Sequence, residues 1–300
     1  MAAPAGAVFH GRACAPPVEI TRLRTPFSLW GDGFSSRDGV GTSSDVPPAG
    51  PALSSTSTPL RLDTLKAVCA NCNLRELCLP VGLGPEPLEQ LDHLIGARRR
   101  VLRGEMLYHA GDRFDVLYAV KVGFFKTVQS LENGTEQVTG FQMAGEMMGL
   151  DAISSGVHTV EAVALEDSQV CSVPFRELEE LARRIPALQS SFHKILSREI
   201  VRDHGAMLMM GTLQADQRLA AFLLNLAMRL NKRGWSSTDM LLRMSREEIG
   251  SYLGLKLETV SRAFTRLQEL GLLAVDKRQV RLVSPDGLRA LIGRGERGSS

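Results

Sequence analysis

At Pro186 the hydrophobic period of this chain changes, and that switch limits the folds open to it. Between about Leu88 and Pro174 the apolar residues come in short runs. Val116 to Val120 reads as a buried strand, and Gly123 to Val128 as another. Thr127 to Phe141 reads as a hairpin turning at Asn133-Gly134, a pair that tolerates the positive φ of tight turns. His158 to Val173 supplies two further strands. Short strands at intervals of about 8–12 residues predict a compact β-barrel or jelly roll.

Beyond Pro186 the period is helical. Leu188, Phe192, Ile195, Leu196, Ile200, Met207 and Met210 recur at three- and four-residue steps, interrupted by Gly205 and Gly211 alone. A helix that long between two domains is either a buried core helix or an oligomer seam. A second helix runs from Gln217 to Leu230 and closes at Arg233-Gly234. Ser245 followed by Glu248 is a capping box, which opens a short helix running to Tyr252. Gly254 permits a tight turn into a helix from about Lys256 to Glu269. Leu272 to Val275 and Gln279 to Val283 then flank the polar turn Asp276-Lys277-Arg278. Helix, turn, helix and hairpin predict a winged helix-turn-helix, and the whole chain is α+β.

Composition narrows the class. Charged residues make up 23% and hydrophobic residues 44% of 300, enough apolar material for packed cores. No apolar run reaches the ~18 residues a membrane helix requires, and Met1 to Arg12 lacks the pattern of a secretory signal. Residues 1–60 hold 7 Gly, 8 Pro and 8 Ser and read as a disordered tail. Residues 231–300 carry 13 Lys/Arg against 8 Asp/Glu, so a polyanionic partner is expected at that end. Five cysteines are too few for a disulfide scaffold, and a cytoplasmic, reducing compartment is expected.

In such a compartment clustered cysteines more often hold metal than form disulfides. Cys69-x2-Cys72-x5-Cys78 places three thiols within ten residues, and Cys171 stands 93 residues further on. Three thiolates can wrap one centre while a fourth ligand comes from another element. Zinc and an iron–sulfur cluster both accept four thiolates, and spacing alone leaves the choice open. Burial as ordinary apolar residues suits Cys171, between Val170 and Val173, better than it suits the triplet. Cys14, in the tail, reads as an exposed thiol.

On the second helix of the C-terminal motif, Glu258, Ser261 and Arg262 share one face near the N-terminus. A helix-turn-helix inserts that end into the major groove. There Arg can pair with guanine O6 and N7, and Glu can accept from cytosine N4. Arg246, Lys256 and Arg266 are candidates for phosphate contacts. A solvated charged face is the bland alternative, and the full motif favours DNA reading over it.

The four cysteines, the run Gln169 to Phe175 around Cys171, Ile249 to Gly254, and Glu258-Thr259-Val260-Ser261-Arg262 together closely resemble the FNR family. That family is the oxygen-sensing branch of the cyclic-AMP-receptor superfamily. The likeness runs from about Lys66 to Asp286 and leaves out the tail. It implies a cyclic-nucleotide-binding-like β-roll within residues 61–185, a dimerisation helix over 186–211 and the winged domain over 212–292. It also implies a [4Fe–4S] cluster on Cys69, Cys72, Cys78 and Cys171, shielded by Leu77 and Asn73, where Asn73 replaces the commoner Ser. Glu258, Ser261 and Arg262 would read TTGAT-type half-sites, two per homodimer. The hairpin Ser130 to Gln137 would touch RNA polymerase, although Leu131, Asn133 and Thr135 depart from the family pattern.

Other readings are weaker. Gly145-Glu146 matches a cyclic-nucleotide cassette, but Asp151 to Ser172 contains no Arg or Lys to meet the cyclic phosphate, so no cyclic nucleotide is expected. A cluster-containing electron-transfer protein or an enzyme would need a second cofactor or substrate site. The sequence has no G-x-G-x-x-G or P-loop, and its six histidines are scattered. A zinc-stabilised or redox-sensing regulator of the same superfamily remains an alternative, and the chain is expected not to be an enzyme. Asp203 interrupts the apolar stripe between Ile200 and Met207. It reads either as the edge of the stripe or as a charge set against its own copy in a dimer. The resemblance favours the second, making Ile200 and Asp203 the dimer switch.

Overall fold

A computed structural model describes residues 69, 72, 74, 77–79, 82–96, 98–130 and 134–293. The tail with Cys14, and Asn73, Leu131 and Asn133, lie outside the described residues. Helix α1 (Pro85–Leu94) leads into strands β1 (Arg98–Val101), β2 (Met106–Tyr108), β3 (Val116–Val122), β4 (Phe124–Ser130), β5 (Glu136–Met143) and β6 (Met147–Met148). A 3-10 turn at Leu150–Ala152 precedes β7 (Glu161–Ala164) and β8 (Ser168–Pro174). The strands form two antiparallel four-stranded sheets, ordered β1-β8-β3-β6 and β2-β7-β4-β5. Each sheet pairs strands distant in sequence, which gives the expected β-roll. The very short strands β1, β2 and β6 were not legible from periodicity.

Helix α2 (Phe175–Arg184) and the 27-residue helix α3 (Pro186–Thr212) follow. Pro186 opens α3 at its first turn, where a missing N–H costs nothing. The two ends of α3 have different surroundings. Leu188, Ser191 and Ile195 are buried against the β-roll side, whereas Ile200, Val201, Met207 and Leu208 are exposed by 45–65%.

Helix α4 (Ala215–Asn231), strand β9 (Asp239–Leu241), α5 (Arg246–Leu253), α6 (Leu257–Glu269), β10 (Leu273–Asp276), β11 (Gln279–Leu282) and α7 (Pro285–Gly293) complete the chain. β10, β11 and β9 form a small antiparallel sheet. Asp276 pairs with Gln279 in the ladder, so the turn is Lys277-Arg278, one residue shorter than the sequence predicted. Ser245 and Glu248 do form the capping box of α5. Gly254 ends α5 at φ 64°, a left-handed conformation that favours glycine and redirects the chain into α6.

One hydrophobic cluster joins β-roll and winged domain. Phe124, Val128, Val138, Phe141, Met143 and Leu165 pack with Leu219, Phe222, Leu223 and Ile249. Among the described residues, no helix is long and apolar enough to cross a membrane.

Candidate thiol centre and nucleic-acid interface

Cys171 lies mid-strand in β8, opposite Arg98 of β1 on one side and Ala119 of β3 on the other. Residues opposite one another in a ladder share a face. On this face the segment before α1 settles, and Cys69, Cys78, Ala119 and Cys171 belong to one hydrophobic cluster. The segment turns tightly: Cys72 N donates to Cys69 O at 3.1 Å, and Cys78 N to Leu74 O at 3.1 Å. Cys69 N donates to Asp92 Oδ1 of α1 at 2.5 Å, which fixes the start of the segment. The topology therefore brings together the four cysteines that the sequence singled out.

The thiols share one electrostatic neighbourhood. Burial pushes Cys69 far up, with Asp92, Cys78 and Cys171 adding to it. Burial likewise pushes Cys78 up to about 12, with Cys171 and Cys72 contributing. Cys171 rises through burial, opposed by the positive charge of Arg98 and Lys121. The centre is ringed by cations. Lys121 Nζ donates to Cys72 Sγ at 3.0 Å. Arg98 supports the Cys171 thiolate through charge and a side-chain hydrogen bond. Arg198, on α3, favours the thiolate of Cys78. Among the described residues, no three His, Cys, Asp or Glu side chains are gathered as a single-ion site.

Leu77, the residue before Cys78, leans on the turn at Gly145. A Cβ on Gly145, where φ is +86°, would lie 3.0 Å from Leu77 Cβ. The next residue, Glu146, is buried and faces three guanidinium groups. Arg229 donates to it through Nη2 and Nε at 2.6 and 3.0 Å, and Arg233 Nη2 at 2.7 Å. Arg202 of α3 stands at 3.5 Å. Burial alone would raise the Glu146 pKa, but Arg229, Arg202 and Arg233 outweigh it and hold the carboxyl at about 2. This cluster was missed in the sequence, because its members come from the β-roll, α3, α4 and the turn that follows α4. Their only signal was the Gly145-Glu146 pair.

The winged domain is also tied to the β-roll by Lys126 Nζ to Glu248 Oε1 at 2.8 Å and by Val138 N to Ser251 Oγ at 2.8 Å. These contacts hold the back of α5 and leave α6 clear. On α6, Val260, Ala263, Phe264 and Leu267 are buried, and Glu258 and Arg262 are exposed, with Ser261 half-buried beside them. The reading face predicted from sequence is thus presented outward. Of the predicted phosphate ligands, Lys256 is exposed. Arg246 is half-buried, its guanidinium 5.0 Å above the Phe264 ring. Arg266 is paired with Asp216 of α4 at 3.2 Å, an internal partner that competes with a phosphate. The wing adds Lys277, at φ 54°, and Arg278. Asp203 is exposed on α3 among the exposed apolar residues that begin at Ile200.

Comparison with known proteins agrees with this geometry. Residues 98–184 match the cyclic nucleotide-binding domain family and residues 217–291 the Crp-like helix-turn-helix domain family. The transcriptional regulatory protein btr of Bordetella pertussis is 46% identical over 227 residues, covering 76% of this chain and 94% of that protein. The fumarate and nitrate reduction regulatory protein of Salmonella typhimurium is 40% identical over 225 residues, covering 75% and 90%. The solved structure of FixK2 from Bradyrhizobium japonicum superposes with a TM-score of 0.61 at 30% identity, covering 66% of this chain and 96% of that one. A β-roll, a long connecting helix and an outward-facing reading helix, matched along their length by such relatives, place the chain in the FNR branch of the CRP/FNR superfamily of DNA-binding transcription regulators.

Proposed function

We propose that the chain is an oxygen-responsive transcription activator. Cys69, Cys72, Cys78 and Cys171 hold a [4Fe–4S] cluster assembled without oxygen, α3 pairs with its own copy, and the dimer binds two-fold symmetric TTGAT-type sites. The observation that carries this reading is the convergence of four thiols inside a ring of cations. Burial raises the pKa of Cys69, Cys78 and Cys171, and Lys121, Arg98 and Arg198 place positive charge beside the thiols. Four thiolates around a metal centre make a net anion, so the donor set and the surrounding charge fit the group. When bound, the cluster supplies oxidation chemistry that oxygen can trigger.

The chain's own residues do the rest. Arg198 faces Cys78 from α3, so the charge state of the thiol centre is felt on the helix that carries Ile200 and Asp203. Glu258, Ser261 and Arg262 read base edges, and Lys256 neutralises phosphate. The hairpin from Ser130 to Gln137 is the surface for RNA polymerase. Glu146, of the Gly145-Glu146 pair, is engaged by three arginines, which weighs against a cyclic nucleotide at that position.

Absorbance and iron-to-sulfide assay of protein purified without oxygen test the reading. Serine at any of the four positions is expected to abolish the cluster, and Cys14→Ser to leave it intact. Bound zinc without sulfide, or an intact cluster in Cys171→Ser, overturns the assignment.

A further inference from the structure

We propose that Arg98 and Lys121 form a counter-cation pair that holds the anionic cluster and raises its reduction potential. The inference rests on the cluster reading above and assigns work to two residues outside its ligand set. Arg98 is placed by strand register and Lys121 by its contact with a cysteine. Arg98 is the direct ladder partner of Cys171 across β1 and β8. Ala119 is the partner of Cys171 across β3 and β8, and Lys121 lies two residues beyond it on the same strand. The register shifts between Val120 and Val122, so Lys121 sits at a bulge and its place is fixed by its own contact with Cys72 rather than by alternation. Arg98 and Lys121 therefore both stand at the cysteine centre, one beside Cys171 and the other beside Cys72.

The geometry at each cation is specific. Lys121 Nζ reaches Cys72 Sγ at 3.0 Å, so the two residues bracket different ligands from opposite edges. The Nε of Arg98 is buried and, among the described residues, has no hydrogen-bond partner. A buried N–H without an acceptor is unfavourable. Arg98 is thus better satisfied when the centre beside it carries negative charge. A four-thiolate [4Fe–4S] centre is a dianion in its resting state and gains a further negative charge on one-electron reduction. Cations close to its ligands favour the more negative form, because net charge and hydrogen bonds to sulfur are among the terms that set cluster potentials. The sequence concealed this. Arg98-Arg99-Arg100 looks like a solvated charge run, and only the ladder separates Arg98 from its two exposed neighbours.

The test uses the full chain, loaded without oxygen with ferrous iron and sulfide, as wild type, Arg98→Gln, Arg98→Lys, Lys121→Gln and Lys121→Arg. Iron and sulfide content and an electrochemical titration are read on each. Each glutamine variant is expected to load the full complement and to shift the one-electron equilibrium toward the oxidised form about tenfold, which is about 59 mV to lower potential. The charge-conserving variants are expected to return most of that shift. Fully loaded glutamine variants with the wild-type potential overturn the inference while leaving the cluster reading intact. A wild-type chain that takes up no sulfide overturns the cluster reading itself. Should Arg98→Gln fail to load, the Lys121 pair decides by the same criterion. The metal-free protein gives a second readout. Arg98→Met is expected to unfold at the same or higher urea concentration than wild type, since the cation lacks its anion there. A marked loss of metal-free stability makes Arg98 a structural residue and overturns its part.

Discussion

Glu146 and Arg229 meet across the boundary between the β-roll and the winged domain, through two nitrogen–oxygen contacts of 2.6 and 3.0 Å. Arg233 joins from the turn after α4 and Arg202 from α3, so one carboxylate ties the β-roll to both helices. Removing one member of a buried charge network leaves the others uncompensated, at a cost of about 3–5 kcal/mol. Glu146→Gln is therefore expected to lower the melting temperature and to split unfolding into two transitions, one per domain. Calorimetry checks this, and a single unshifted transition defeats it. The pH dependence has a definite sign. The Glu146 carboxyl is held at about 2 in the folded chain against an ordinary 4.5. Its stabilisation is in full force above that ordinary value and is lost as pH falls from about 4.5 toward about 2. Unfolding followed between pH 5 and 2 should show a steeper loss for wild type than for Glu146→Gln.

Gly145 is adjacent to this cluster and beneath Leu77, and it tests whether the cysteine segment needs that support. Alanine there meets Leu77 Cβ at 3.0 Å and must hold φ +86°. The backbone strain alone costs about 1–2 kcal/mol. Gly134, at φ +79° with open space around it, is the control that pays the strain without the clash. Urea unfolding is expected to place Gly145→Ala below Gly134→Ala. Its anaerobic cluster is also expected to form with lower yield. Equal stability and equal yield would show that Leu77 moves aside freely.

Local chemistry was legible in the sequence, and contacts between distant elements were not. The capping box at Ser245 and the turn at Gly254 each depend on residues within four positions of one another and stand where the pattern put them, and the face of α6 with Glu258 and Arg262 is exposed. The four cysteines were identified as a set, but spacing said nothing about what surrounds them. Arg98 reaches the centre through ladder register and Lys121 from a bulge in β3, and Glu146 finds Arg229 and Arg233 across more than eighty residues. β1 and β6 are too short to show a period. The apolar stripe of α3 hid a division that burial makes plain: Leu188 and Ile195 serve the core of their own chain, while Ile200 and Met207 face outward.

On α6, Arg262 and Lys256 are both exposed and differ in expected role. Arg262 shares its face with Glu258 and Ser261 and is expected to read a base. Arg262→Ala should cost about 1–3 kcal/mol at the specific site and relax discrimination at one guanine. Lys256 flanks the helix start as its N-cap residue, suited to phosphate. Lys256→Ala should weaken all sequences about equally and reduce the salt slope by about one. Titrations of specific and random duplexes at several salt concentrations separate the two. An equal loss on both duplexes for Arg262→Ala would make it a phosphate contact.

The exposed half of α3 sets the last prediction. Ile200, Val201, Met207 and Leu208 are apolar yet 45–65% exposed in the single chain, and Asp203 stands exposed among them. A contiguous apolar surface of this kind on one helix is a candidate interface. In a two-fold dimer the same patch meets itself, so a residue near the axis faces its own copy. Two carboxylates about 4 Å apart repel by about 1 kcal/mol at a dielectric of 80 and about 4 kcal/mol at 20. That shifts dimerisation by about one to three orders of magnitude. On the proposed reading the apolar stripe favours the dimer, Asp203 opposes it, and a contribution from the thiol centre is expected to tip the equilibrium. Without that contribution the chain should be monomeric at low concentration. Asp203→Ala removes the opposing term, and it is expected to sediment as a dimer and bind specific DNA in air, with no cluster present. Ile200→Ala in the same background should reverse the gain by removing apolar surface from the seam. Sedimentation of the aerobic proteins decides it: an Asp203→Ala chain as monomeric as wild type means that Asp203 lies at the edge of the seam and the switch is elsewhere.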